Sequence, residues 1–192
     1  MQDSQSPSNV FAGLPAIAAD RERRASVLER EVVELFDQLR GPLFRYILTF
    51  GLPVQDCEEV IQETFLALFR HLTLGRSRRN LRGWLFRVAH NLALKTRLRS
   101  RREGLAPAEA ESPLDGIADP ALNPEHEFQN AQTRRRLLTV YQALPEQDRR
   151  CLSLRAEGLR YREIAEVLDM SLGSVSVSLA RSLARLTRVS EL

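Results

Sequence analysis

The chain has little of what builds a catalytic or metal centre. Its two cysteines, Cys57 and Cys151, lie far apart, with no C-x-x-C pair and no Cys/His cluster, which argues against a disulfide framework or a zinc site. The three histidines, His71, His90 and His126, are scattered and read as surface or edge residues rather than ligands. No glycine-rich loop cradles a phosphate and no nucleophile–base pairing stands out, so neither enzyme chemistry, a cofactor nor a metal is expected. No apolar run approaches the roughly 18 residues of a membrane span. The amino terminus lacks the basic-then-apolar order of a signal peptide. The expectation is a cytoplasmic protein with no membrane insertion.

Charge of one sign is also missing from whole stretches. Between Arg76 and Arg102 there are ten Arg/Lys and no Asp or Glu, whereas residues 104–133 hold six acids and no Arg or Lys. A formal charge of +3 over 192 residues conceals this pattern. The length allows one or two domains. Two basic blocks separated by an acidic one suggest two modules that approach a polyanion. A pair of ordinary solvated domains would carry similar counts, so charge alone leaves both readings open.

Residues 1–21 are polar and small, with no helical stripe, and read as a disordered tail. A first module, 22–103, follows. Val32, Leu35, Phe36 and Leu39 recur at helical spacing, Gly41-Pro42 reads as a break, and Pro42 suits the start of a second helix carrying Leu43, Phe44, Ile47 and Leu48. Pro53 to Leu72 forms the next helix, with Val60, Ile61, Thr64, Phe65, Leu68, Phe69 and Leu72 inward. Asp56, Glu59, Glu63, Leu66 and Arg70 point the other way, with Gln62 on the flank. Acids near a helix start also suit the dipole, so a purely structural role for Asp56, Glu58 and Glu59 stays open.

After a loop stopped by Gly75 and capped by Asn80, a basic helix buries Leu81, Trp84, Leu85, Val88, Ala89 and Leu92. Its outer side is read as Phe86, Arg87, His90, Leu94, Arg97 and Arg101, with Arg82 and Asn91 at the edges. An exposed aromatic among arginines is a surface suited to unstacked single-stranded bases. Residues 104–122, rich in proline and acid, read as a flexible linker.

The second module, 123–192, opens with Asn123-Pro124-Glu125, a helix start. A further helix from Pro145 is closed by Gly158. Tyr161–Leu168, the turn Asp169-Met170-Ser171 and a helix from Leu172 to about Leu186 then form a helix-turn-helix, whose second helix enters the DNA major groove in proteins of that kind. Its expected inner stripe is Leu172, Val175, Leu179, Leu183 and Leu186. The fold class expected is all-α, two small helical domains joined by an acidic linker.

DCEEVIQETFLALFRHL followed by LRGWLFRVAHNLALKTRLRSRR resembles region 2 of bacterial sigma factors. LPEQDRRCLSLRAEGLRYREIAEVLDMSLGSVSVSLARSLARL resembles their region 4, and the two-module length is similar to the extracytoplasmic-function (ECF) group. The resemblance implies a subunit that binds core RNA polymerase, through the β′ clamp helices and the β flap, and promoter DNA. It places polymerase docking at Asp56, Glu59, Val60, Gln62 and Glu63, with Phe65 matching the motif but core by periodicity. It places −10 contacts at Arg76, Arg78, Arg79, Asn80, Arg82, Trp84, Phe86, Arg87, Asn91, Arg97 and Arg101. The −35 contacts fall at Ser174, Ser176, Val177, Ser178, Ala180, Arg181 and Arg185.

The family often has Lys or Arg where Ser176 and Ser178 stand. That loss predicts weaker phosphate binding by the second module and a smaller salt slope, so the first module is expected to dominate DNA affinity. Whether an anti-sigma protein holds the modules together is left open. The competing reading is a helix-turn-helix regulator that works without polymerase, for which residues 53–102 would be only a scaffold.

Overall fold

A computed structural model describes residues 14–103 and 124–190. The described residues form seven α-helices and no strand. The first module consists of α1 (Leu14–Leu48), α2 (Val54–Thr73) and α3 (Leu81–Arg102), and the second of α4 (Pro124–Gln142), α5 (Glu146–Ala156), α6 (Tyr161–Leu168) and α7 (Leu172–Ser190). The proposed linker, 104–122, lies outside the described residues, as do residues 1–13 of the expected tail.

Two expectations about the first helix are corrected. The chain is already helical from Leu14, and α1 runs without interruption through Pro42. A proline inside a helix removes one backbone hydrogen bond and costs roughly 3 kcal/mol. Here it is flanked by Leu39, Leu43, Tyr46 and Ile47, all buried. A continuous helix is what lets these four share one face, and that packing outweighs the local penalty.

The turn chemistry is as its residue types suggest. Gly75, at φ +64°, ends α2 in the left-handed region that glycine enters without a steric penalty. Asn80 is left-handed too, and its side chain accepts the Gly83 N–H at 3.1 Å. In the second module Asp169 takes the left-handed turn position at φ 52°. Ser171 Oγ accepts the Ser174 N–H at 3.0 Å, capping α7.

Buried side chains form one continuous cluster from Leu39 in α1 to Leu179 in α7. The modules are therefore packed together: α3 lies against α6 as well as α1 and α2, and α1 touches α5. A further correction concerns the faces of α3. Phe86 and His90, read from the sequence as the outer side of α3, are buried, at 0 and 6 % exposure. A helix with three neighbours keeps a narrower free face, here along Arg87, Asn91, Lys95 and Leu98, so a single apolar stripe underestimates what it buries. In α7, likewise, the buried line is Val175, Ser178, Leu179 and Ser182, while Leu172 and Leu183 are about half exposed, at 51 and 50 %.

Candidate functional site

The outer face of α2 is acidic and open. Glu59, Gln62 and Glu63 are exposed, Asp56 half-buried, and neither Glu59 nor Glu63 has an ion pair among the described residues. Leu66, 56 % exposed, continues the same face with Phe69 beyond it. The opposite face, including Cys57, Val60, Ile61, Thr64, Phe65 and Leu68, is buried. Val60, grouped from the sequence with the docking residues, is thus a core residue at 2 % exposure. Phe65 is core as its periodicity implied.

The loop between α2 and α3 presents Arg76, Arg78 and Arg79, all exposed. Arg78 is paired with Glu31 of α1 at 3.2 Å, whereas Arg76 and Arg79 have no ion pair among the described residues. The loop is held by His71, whose Nε2 donates to the Ser77 carbonyl at 2.9 Å. The same imidazole lies 4.5 Å, centroid to centroid, from the half-buried indole of Trp84. The aromatic surface beside the basic loop is therefore Trp84 with His71.

Phe86 cannot serve as a stacking platform in this arrangement. Its ring packs 5.7 Å from Tyr46, and Tyr46 also hydrogen-bonds His90 Nδ1 at 2.7 Å. Burial, together with the Arg150 charge, pushes the His90 pKa down to about 4, so the ring is neutral. Arg87, Asn91 and Arg101 remain exposed along α3.

Two of the basic residues on α3 are engaged by the second module. Arg97 pairs with Glu146 at the start of α5, and Arg82 donates to the backbone carbonyl of Glu157. The Glu157 carboxylate is itself held by Arg45 of α1. Arg150, whose guanidinium lies 4.7 Å from the Phe50 ring centre, adds a cation–π contact across the same junction. Burial raises the pKa of Glu146, but the hydrogen bond from Arg97 and the charges of Arg150, Arg97 and Arg149 outweigh it, leaving the group below the ordinary carboxylate range.

The second helix of the helix-turn-helix offers Ser174, Ser176, Val177, Ala180, Arg181 and Arg185 to solvent. Ser178, expected at the groove, points inward instead: it is 3 % exposed and donates to Asp148 at 2.7 Å. The reason lies in the helical period, since Ser178 follows the buried Val175 by three residues and Ser182 follows it by seven. Arg181 also binds Asp148, through two hydrogen bonds.

His71, Glu146, Asp148 and Glu157 went unassigned in the sequence reading. Their roles depend on partners 6 to 112 residues away. Only the spacing of His71 ahead of the basic loop offered any local signal.

Among the described residues no helix is long and apolar enough to cross a membrane, and no group of three or more His, Cys, Asp or Glu could hold a metal ion.

Comparison with known proteins gives the same two modules. Residues 35–103 match the Sigma-70 region 2 family and residues 134–186 match Sigma-70 region 4. The ECF RNA polymerase sigma-E factor of Escherichia coli strain K12 is 30% identical over 136 residues, covering 68% of this chain and 71% of that protein. That of Haemophilus influenzae is 29% identical over 153 residues, covering 76% of this chain and 78% of that protein. Among solved structures, CnrH in complex with the cytosolic domain of CnrY superposes with a TM-score of 0.57 at 22% identity, covering 90% of this chain and 97% of that one. The sigma factor RpoE bound to the anti-sigma factor NepR from Bartonella quintana gives 0.53 at 18% identity, covering 83% and 98%. With both regions present in order and a relative at this identity over more than two thirds of its length, the chain belongs to the ECF subfamily of RNA polymerase sigma factors.

Proposed function

We propose that the two modules divide promoter recognition between them and that the chain itself catalyses nothing. The first docks on core polymerase through the outer face of α2 and opens the −10 element with the loop and basic helix behind it. The second reads the −35 duplex through α7. Polymer chemistry then belongs to the polymerase, and the working compartment is the cytoplasm.

The observation that carries this reading is the opposition of surfaces in the first module. Glu59 and Glu63 stand outward on α2 with no ion pair among the described residues, and the same holds for Arg76 and Arg79 on the loop after it. Core docking falls to Asp56, Glu59, Gln62 and Glu63, with Leu66 as the apolar contact. Single-strand binding falls to Arg76, Arg79, Trp84, Arg87, Asn91 and Arg101. Arg78, Asn80, Arg82 and Arg97 have structural partners and join only when those are released.

The similarity to a sigma factor solved with an anti-sigma factor supports an anti-sigma protein as a regulator that uses the closed arrangement of the modules. Reconstitution with core polymerase tests the central reading: promoter-dependent transcription is expected. Duplex binding with no association with core polymerase would favour the polymerase-independent regulator.

A further inference from the structure

Arg181 emerges from α7 as an exposed side chain, yet it is not free to swing. The Asp148 carboxylate, on α5, has a side chain only 3% exposed, against 50% for Arg181. Its Oδ2 accepts from Arg181 Nε at 2.9 Å, and its Oδ1 accepts from Nη2 at 2.8 Å. Oδ1 also accepts the Ser178 hydroxyl at 2.7 Å. The carboxyl is held below its usual range, first by the Arg181 hydrogen bond, so it is charged near neutral pH.

A guanidinium has five N–H donors in one plane. A carboxylate that takes Nε–H and one Nη2–H occupies its side edge. Three donors are left, including the end-on pair shared by Nη1 and Nη2. That pair matches the O6/N7 edge of guanine, or two phosphate oxygens, in a bidentate way.

We propose that Asp148 is a positioning residue for −35 recognition, fixing the Arg181 guanidinium so that its end-on edge reads a base in the major groove rather than ranging over phosphates. Ser178 is part of the device. A short hydroxyl at this position turns inward and orients the carboxylate, which a long cationic side chain would displace or neutralise. The price of the arrangement is one free cation, because the Asp148 charge offsets that of Arg181. The second module thereby gives up non-specific attraction and keeps an arginine of defined orientation.

This inference rests on the reading that α7 enters the groove, and the two can fail separately. Full-length protein bound to core polymerase is used to select from duplexes randomised over the upstream element. The selected sequence and an unrelated duplex are then titrated at several salt concentrations. Arg181→Ala tests the groove reading: binding to the selected duplex should weaken, and no change would remove that reading and the inference with it. Asp148→Asn tests the inference: the preference for the selected duplex should fall by roughly tenfold or more. Binding to the unrelated duplex should hold or tighten, with the salt slope steeper by up to about 1.

In an Arg181→Ala background the Asp148→Asn change should have no further effect on preference. Asp148→Glu, which keeps the charge and moves the carboxylate by one methylene, guards against a folding defect. It should lower the preference with the salt slope and thermal midpoint unchanged. Equal weakening on both duplexes, an effect that persists without Arg181, or a weakened Arg181→Ala beside an unchanged Asp148→Asn would overturn the positioning role.

Discussion

Arg45 and Glu157, 112 residues apart in the chain, meet edge to edge, with Nε and Nη2 2.9 and 2.7 Å from the two carboxylate oxygens. The pair joins α1 of the first module to the end of α5 in the second. Beside it, the Glu157 carbonyl takes Arg82 and the Glu146 carboxylate takes Arg97. Acidic and carbonyl oxygens of one module thus occupy arginine donors of the other.

Replacing Glu146 and Glu157 together by alanine should loosen this closure. Partly exposed pairs contribute up to about 1 kcal/mol each, so the double variant is expected to shift the balance between closed and separated modules without unfolding either. Small-angle scattering should show a larger radius of gyration, and affinity for a single-stranded −10 oligonucleotide should rise several-fold. An unchanged radius and affinity would mean that the contacts left in place, α3 against α6, Arg82 on the Glu157 carbonyl and Arg150 on Phe50, hold the modules together without the two carboxylates.

Phe86 and Trp84 lie two residues apart and should respond in opposite ways. Phe86→Ala empties a fully buried position and is expected to cost about 3–5 kcal/mol of stability, lowering the denaturation midpoint. Trp84→Ala, from a half-buried site beside the basic loop, should lower single-strand binding by an amount typical of one stacked base, about 1–3 kcal/mol. Calorimetry with oligonucleotide titration separates the two. A Trp84 variant with normal binding would move the stacking surface elsewhere.

Glu59→Lys and Glu63→Lys change charges that touch nothing within the described chain. Their thermal midpoints should stay close to wild type, while association with core polymerase should fall by about tenfold or more, since rim charges set both encounter and register. Val60→Ala is the control: a buried residue, it should lower stability by roughly 1–3 kcal/mol and leave docking by the folded protein intact. Native gel or interferometry assays of complex formation would decide. Retained binding by both charge reversals would dismiss the α2 face.

Acidification should weaken the core through His90. Its folded pKa, pushed down to about 4 by burial and then by Arg150, lies below the ordinary histidine value near 6.5. The unfolded chain therefore takes up the proton first. The stabilisation is fully present above about pH 6.5 and is lost as pH falls toward about 4. Denaturant midpoints measured across that window should drop in the wild type, and less in His90→Gln, which keeps a polar partner for Tyr46. Identical pH profiles would assign the acid sensitivity to carboxylates.

Helical periodicity, caps and turn residues were legible locally because each depends on neighbours within one or two turns. The stop at Gly75, the cap at Asn80, the left-handed Asp169 and the outward acids of α2 are all of this kind. So was the order of the two regions, since motif spacing is itself a property of the linear chain. Pro42 shows the limit: its local preference for a break is real, but the burial of Leu39, Leu43, Tyr46 and Ile47 along one helix overrides it.

Packing between helices, within and between the modules, decided the rest. Phe86 and His90 are buried because α3 is enclosed by α1, α2 and α6, and no stripe on α3 alone encodes how many neighbours it will have. Ser178 turns from the groove to Asp148, and Arg97 and Arg82 turn to the second module, through partners 30 to 75 residues distant. The residue types and their periods settle which helices form and which surfaces carry charge. Which of those charges remain free for polymerase or DNA is settled only by tertiary contacts, because a hydrogen bond depends on distance in space and not on separation along the chain.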